Sequence, residues 1–150
     1  MRQWNKCLFP LFLSTLSSCT LASYNDEELE QALNEFAMRA IARFRFPRVS
    51  LQYKIDENGH GSFDNNVTMA EIEVILCWMK VLWLEYQLSK ERNYENLYAD
   101  KDVKAFSSGN LIASIIKALE TFTMQARKFE EFYYRTNNGT PTIGGVNSDE

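Results

Sequence analysis

The sequence predicts a mainly α protein: a helical bundle of three to four helices with a small β-hairpin insertion and extended N- and C-terminal arms. Three observations predict it. Apolar residues recur at three-and-four spacing over three long stretches, opening near Leu29, Ile72 and Leu111. One short stretch alternates instead, with Val49, Leu51, Tyr53 and Ile55 separated by Ser50, Gln52 and Lys54. After Thr136 the composition turns to Asn, Gly and Thr. The chain has 150 residues, the length of one domain. Hydrophobic residues are 45% and charged residues 24%, ordinary for a globular protein with its own core.

Residues 1–20 form the first unit, an apolar N-terminal arm. Arg2 and Lys6 precede Leu8-Phe9-Pro10-Leu11-Phe12-Leu13. Two readings of this stretch stay open. As a structural segment it anchors Trp4, Leu8, Phe9, Phe12, Leu13 and Leu16 on a neighbouring copy or on the core. As an export signal, Leu16-Ser17-Ser18-Cys19 fits a bacterial lipobox, and the product is a lipoprotein anchored through Cys19 with a helical mature domain. Pro10 interrupts the short apolar run, which weighs against the signal. No membrane contact is expected unless that lipobox is used.

The helical domain spans residues 21–135. Asn25 caps the first long helix, with Glu28 at the reciprocal position and acids at 26–28 suiting the positive end of the helix. Leu29, Leu33, Phe36, Ala37, Ala40 and Phe44 make its face, and Pro47 stops it. A hairpin follows at about 48–64, turning through Asp56-Glu57-Asn58-Gly59-His60 and returning at Gly61-Ser62-Phe63. Thr68 and Glu71 form a second capping box. Residues 69–90 make a helix apolar nearly all round, buried on several sides or meeting a partner through Trp78 and Trp83. Asn93 to Phe106 is polar and undecided. Ser107 or Ser108 caps the last helix, which runs to about Arg135 with Leu111, Ile112, Ile115, Ile116, Leu119, Phe122, Ala126, Phe129 and Tyr133 as its stripe. Residues 136–150 are a flexible C-terminal docking tail, with Pro141 and Ile143 as its contact residues.

The residues that carry chemistry point away from catalysis. The cysteines Cys7, Cys19 and Cys77 are widely spaced and include no CxxC pair. The single histidine, His60, lies in a turn and is read as a solvated loop residue; alone it supplies neither a zinc ligand set nor a triad. Glu71/Glu73 and Glu130/Glu131 are read as solvated helix faces. No phosphate-cradling glycine motif occurs, and no cofactor or metal is expected. Net charge is −4, against a nucleic-acid-coating protein. One basic run stands out: Arg39, Arg43, Arg45, Arg48 and Lys54, with no acid between. It is read first as a surface for an acidic neighbour, and second as a phosphate-contacting patch on a small DNA-binding or regulatory protein.

Four stretches carry a likeness to a known group. They are Leu8-Phe9-Pro10-Leu11-Phe12-Leu13-Ser14, Ala40-Ile41-Ala42-Arg43-Phe44-Arg45-Phe46-Pro47, residues 66–75 with Trp78-Met79 and Trp83-Leu84, and residues 103–112 opening the last helix. In them the chain resembles the head–tail connector proteins of tailed bacteriophages, the adaptor or neck-ring proteins of podovirus-like and crAss-like phages. The resemblance implies a non-enzymatic virion protein, assembled in the host cytoplasm into a homo-oligomeric ring, usually twelvefold. It implies a portal protein on one side of the ring and further neck or tail proteins on the other. Double-stranded DNA would pass through transiently, without sequence-specific binding, as the genome leaves. A heterologous ring needs two different complementary surfaces on each subunit. The acidic helix start (26–35) and the basic segment (39–54) are the expected pair.

Overall fold

The computed structural model describes residues 2–16, 25–48, 50–98 and 105–137. In chain order the elements are β1 (Arg2–Gln3), α1 (Trp4–Cys7), α2 (Phe9–Ser14), α3 (Asp26–Arg43), β2 (Tyr53–Ile55), β3 (Gly61–Phe63), α4 (Met69–Tyr98) and α5 (Ala105–Asn137). The protein is mainly helical with a small antiparallel sheet, the class that the hydrophobic periodicity predicts.

Both predicted capping boxes form. Asn25 Oδ1 accepts the Glu28 N–H at 2.8 Å while Glu28 Oε2 accepts the Asn25 N–H at 3.2 Å. Thr68 Oγ1 accepts the Glu71 N–H at 3.3 Å, and Glu71 Oε2 accepts the Thr68 N–H at 2.7 Å. Each box satisfies donors that a helix start leaves unpaired. α3 ends at Arg43, where Phe44 turns extended ahead of Pro47.

The hairpin pairs Tyr53 with Phe63, Lys54 with Ser62 and Ile55 with Gly61. Asp56 Oδ1 holds its turn by accepting the Asn58 and His60 N–H groups at 2.9 and 2.8 Å. Gly59 sits at φ 83°, a left-handed value that a side chain would strain. A third strand joins from the N-terminus: β1 lies antiparallel on the free edge of β3, with Arg2 opposite Phe63 and Gln3 opposite Ser62.

That pairing brings the described part of the N-terminal segment, residues 2–16, onto the core, one of the two anchorages expected for it, and not onto a neighbouring copy. Trp4, Leu8 and Phe12 have no exposed surface, and Phe9 keeps only 4%. They belong to the same core as Leu33, Ala37, Phe63, Ile72, Ile75 and Met79, with Leu13 packed at its margin. The reason is hydrophobic: burying each such side chain stabilises by roughly 1.5–3 kcal/mol. The Trp4 ring lies against Gly61 so closely that a Cβ there would overlap the indole. Cys19 and the rest of the lipobox lie outside the described residues, apart from Leu16.

α4 and α5 run antiparallel. Glu71 near the start of α4 meets Tyr133 near the end of α5, and the Lys80 ammonium stands over the Phe122 ring at 5.5 Å. At 1.5 Å per residue the two helices are about 45 and 50 Å long. α4 continues through the polar stretch to Tyr98, beyond the expected end near 90. α5 begins at Ala105, so Ser107 and Ser108 lie inside the helix and not at its cap. It ends at Asn137, which moves the start of the expected tail past Thr136. Pro141 and Ile143 lie outside the described residues.

Candidate functional site

The residues picked out from sequence divide into three places. Trp4, Leu8, Phe9 and Phe12 are core, as described above, and offer no surface to a neighbour. Arg39, Arg43, Trp78 and Trp83 come together along the packing of α3 on α4. Arg45 and Arg48 sit in the segment after α3, against α5.

The α3–α4 region is built from two facing stripes. Phe36 of α3 packs edge-on to Trp83 and Tyr86 of α4, with ring centroids 5.9 and 6.1 Å apart. Arg43 reaches across to Glu85 in a two-pronged bond of 3.1 and 2.9 Å, and its guanidinium stands 5.8 Å from the Trp78 ring centre. Beside this pair opens a cleft of about 360 Å³, lined among others by Glu35, Phe36, Arg39, Trp83, Glu85 and Tyr86. The cleft offers ring faces, two carboxylates and one exposed guanidinium. Ser89 adds a hydroxyl to its lining.

The basic run is largely neutralised from within. Arg43 pairs with Glu85 at 2.9 Å, the Arg48 Nε lies 3.6 Å from Glu71, and Lys54 lies 3.5 Å from Asp64. The Arg45 backbone N–H donates to Glu130 at 2.7 Å, while its side chain is exposed. Among the described residues, Arg39 and Arg45 are the members of the run whose guanidinium groups have no acidic partner.

Three sequence-based readings change at this level. Glu71 is not on a solvated face: it is fully buried and accepts the Tyr133 hydroxyl proton at 2.8 Å as well as the Thr68 N–H. Glu130 is likewise engaged with Arg45. His60 is not merely a loop residue in water. Its Nδ1 lies 2.6 Å from Glu30 Oε1, which raises the imidazole pKa through that bond first and the carboxylate charge second. Asn34 donates to the Gly59 carbonyl at 2.6 Å, so two side chains of α3 fasten the hairpin tip.

Burial pushes the Cys7 and Cys77 thiols up, away from the reactive thiolate form. The indole N–H groups of Trp4 and Trp78 are buried without an acceptor. Among the described residues no group of three His, Cys, Asp or Glu side chains is placed to hold a metal ion, and no helix is long and apolar enough to cross a membrane.

Glu35 ends the acidic segment 26–35 picked out from sequence, whereas Glu85 and Tyr86 were missed as site residues. Their roles depend on which side of α4 meets α3, and a helix apolar nearly all round does not reveal that. Comparison with protein families, curated proteins and solved structures finds no match for this chain.

Proposed function

We propose that this chain is a structural subunit that works by assembling with copies of itself, in the manner of the head–tail connectors that its sequence resembles. In that role it forms an oligomeric ring between portal and tail, extends the DNA channel and seats the next neck or tail component.

The observation that carries the reading is the charge layout of α3. Asp26, Glu27 and Glu28 are exposed at its start, and Arg39 is exposed about 20 Å further along the same helix. Arg45 is exposed just beyond its end. One subunit therefore presents an acidic and a basic surface at separate places, which is what head-to-tail closure requires. The internal pairing of Arg43, Arg48 and Lys54 leaves Arg39 and Arg45 as the cations of this run without an acidic partner, which supports a subunit-facing role for it over a DNA-coating one. The folding of residues 2–16 into the core supports a chain that keeps its N-terminus.

The test is native mass spectrometry and negative-stain imaging of the full-length chain, alone and with portal protein from the same genome. Closed rings that weaken on Arg39→Glu with Arg45→Glu are expected. A chain that stays unassembled in both settings, or a mature form that begins at an acylated Cys19, would sink the proposal.

A further inference from the structure

β2 is an edge strand. In the sheet order β1–β3–β2, β3 is central, and among the described residues no strand lies on the outer side of β2. The Asp64 N–H donates to the Gln52 carbonyl and the Asp56 N–H to the His60 carbonyl, with Lys54 opposite Ser62 between them. Hydrogen-bonded pairs alternate with non-bonded ones, so the N–H and C=O groups of Tyr53 and Ile55 point away from β3. Their side chains stay 37% and 41% exposed. Folded proteins cover or blunt an open edge of this kind. Tyr53 also lines an open groove of about 590 Å³, with Ile41, Phe44, Arg45, Pro47 and Leu51 among its walls.

We propose that residues 142–146 of the same chain cover this edge as a fourth strand, parallel to β2. The path of the chain selects the occupant. The Tyr133 hydroxyl accepts the Arg48 N–H at 2.7 Å, and Asn137 lies one turn beyond Tyr133. Two stretches set out from that place: five residues lead from Arg48 to Tyr53, and five from Asn137 to Thr142. At ~3.3 Å per residue each spans about 17 Å. A parallel pairing then follows. The Tyr53 N–H donates to the Thr142 carbonyl, and the Gly144 N–H donates to the Tyr53 carbonyl. Ile55 repeats the pattern with Gly144 and Val146.

The side chains suit that register. Pro141 and Ile143 turn their backbone groups outward, so the N–H that proline lacks is not needed. Ile143 comes beside Tyr53, on the face that Tyr53 shares with Leu51 and that borders the groove. A second copy's β2 is a poorer occupant. The antiparallel register that bonds both Tyr53 and Ile55 sets Lys54 directly opposite the partner's Lys54, like charge against like. The contact lies within one chain, so it is independent of the connector reading.

Amide hydrogen exchange of the full-length chain, followed residue by residue by NMR, tests it. Slow exchange is expected at Tyr53 and Ile55, whose N–H groups face away from β3. Ile143→Asp should speed both about tenfold. Gly144→Pro, which deletes the N–H given to Tyr53, should do the same, and Ile143→Val should keep the protection. The Lys54 amide faces β3 and should not change, which shows that the hairpin still folds. Tyr53 and Ile55 amides that exchange like unbonded ones overturn the proposal, as does protection indifferent to Ile143→Asp. Equal acceleration at Lys54 also counts against it, because the tail would then act on the whole hairpin and not on its edge. Protection that fades on dilution means that another copy supplies the strand, and the proposal fails in that case too.

Discussion

Tyr133 donates its hydroxyl proton to the buried carboxylate of Glu71 at 2.8 Å and accepts the Arg48 N–H at 2.7 Å. One phenol thereby joins the end of α5, the start of α4 and the segment after Pro47. Tyr133 keeps 3% of its surface and Glu71 none, so water does not compete for these bonds.

Tyr133→Phe removes both bonds, taking the phenol donor from the buried Glu71 Oε1 and the acceptor from the Arg48 N–H. The expected loss is about 1–3 kcal/mol, since a stranded buried group costs its desolvation. Urea unfolding measures it, and a change within error of zero would show that the network does not hold the helices together.

Burial first, and the Glu71 carboxylate second, push the Tyr133 hydroxyl from 10.0 up to about 12. The sign follows from the folded chain keeping a proton that the unfolded chain releases. This contribution is whole below pH 10 and is lost as pH rises from there through about 12. Stability measured across that window should fall in the native chain and fall less steeply in Tyr133→Phe.

Gly61→Ala should unseat Trp4, because the new methyl occupies the space of the indole. Overpacking of this kind costs about 1–3 kcal/mol. Trp4→Ala on its own should cost about 3–5 kcal/mol through the cavity it leaves. Thermal unfolding of the double variant should show that the Gly61→Ala penalty vanishes once the ring is gone. Simple additivity would mean that the two residues do not touch.

His60 binds its proton more tightly when folded, owing to Glu30. The fastening of the hairpin tip is therefore complete below pH 6.5 and loosens as pH rises through the elevated folded value. Hydrogen exchange at residues 56–60 should quicken with pH beyond the intrinsic rate, and Glu30→Gln should remove that excess.

Deleting residues 2–16 should abolish cooperative unfolding, because it strips Trp4, Leu8, Phe9 and Phe12 from the core. Calorimetry of the truncated chain reads this directly. A truncated chain that melts as sharply as the full one would favour the export-signal reading of the N-terminus.

Much of this architecture was legible beforehand because it is written in local chemistry. Asn25 with Glu28, and Thr68 with Glu71, are patterns whose partners lie three residues apart. Asp56 to His60 spells its turn in the same local way. What escaped depends on contacts distant in sequence. β1 is two residues long and has no period to detect. Glu71 looks like any surface acid until Tyr133, 62 positions away, is brought to it. The α5 stripe reads as one face, yet it divides into a side that meets α4 and a side that does not. Only the placement of α4 decides which is which.

The closing of the sheet by β1 also has a consequence for synthesis. Arg2 and Gln3 pair with Phe63 and Ser62, and Trp4 rests on Gly61. At ~5–20 residues per second, the nascent chain carries this apolar opening unsheltered for several seconds before its mates leave the ribosome. During that interval residues 2–16 are open to capture by chaperones or targeting factors. The sheet closes once Gly61–Phe63 has emerged to receive β1.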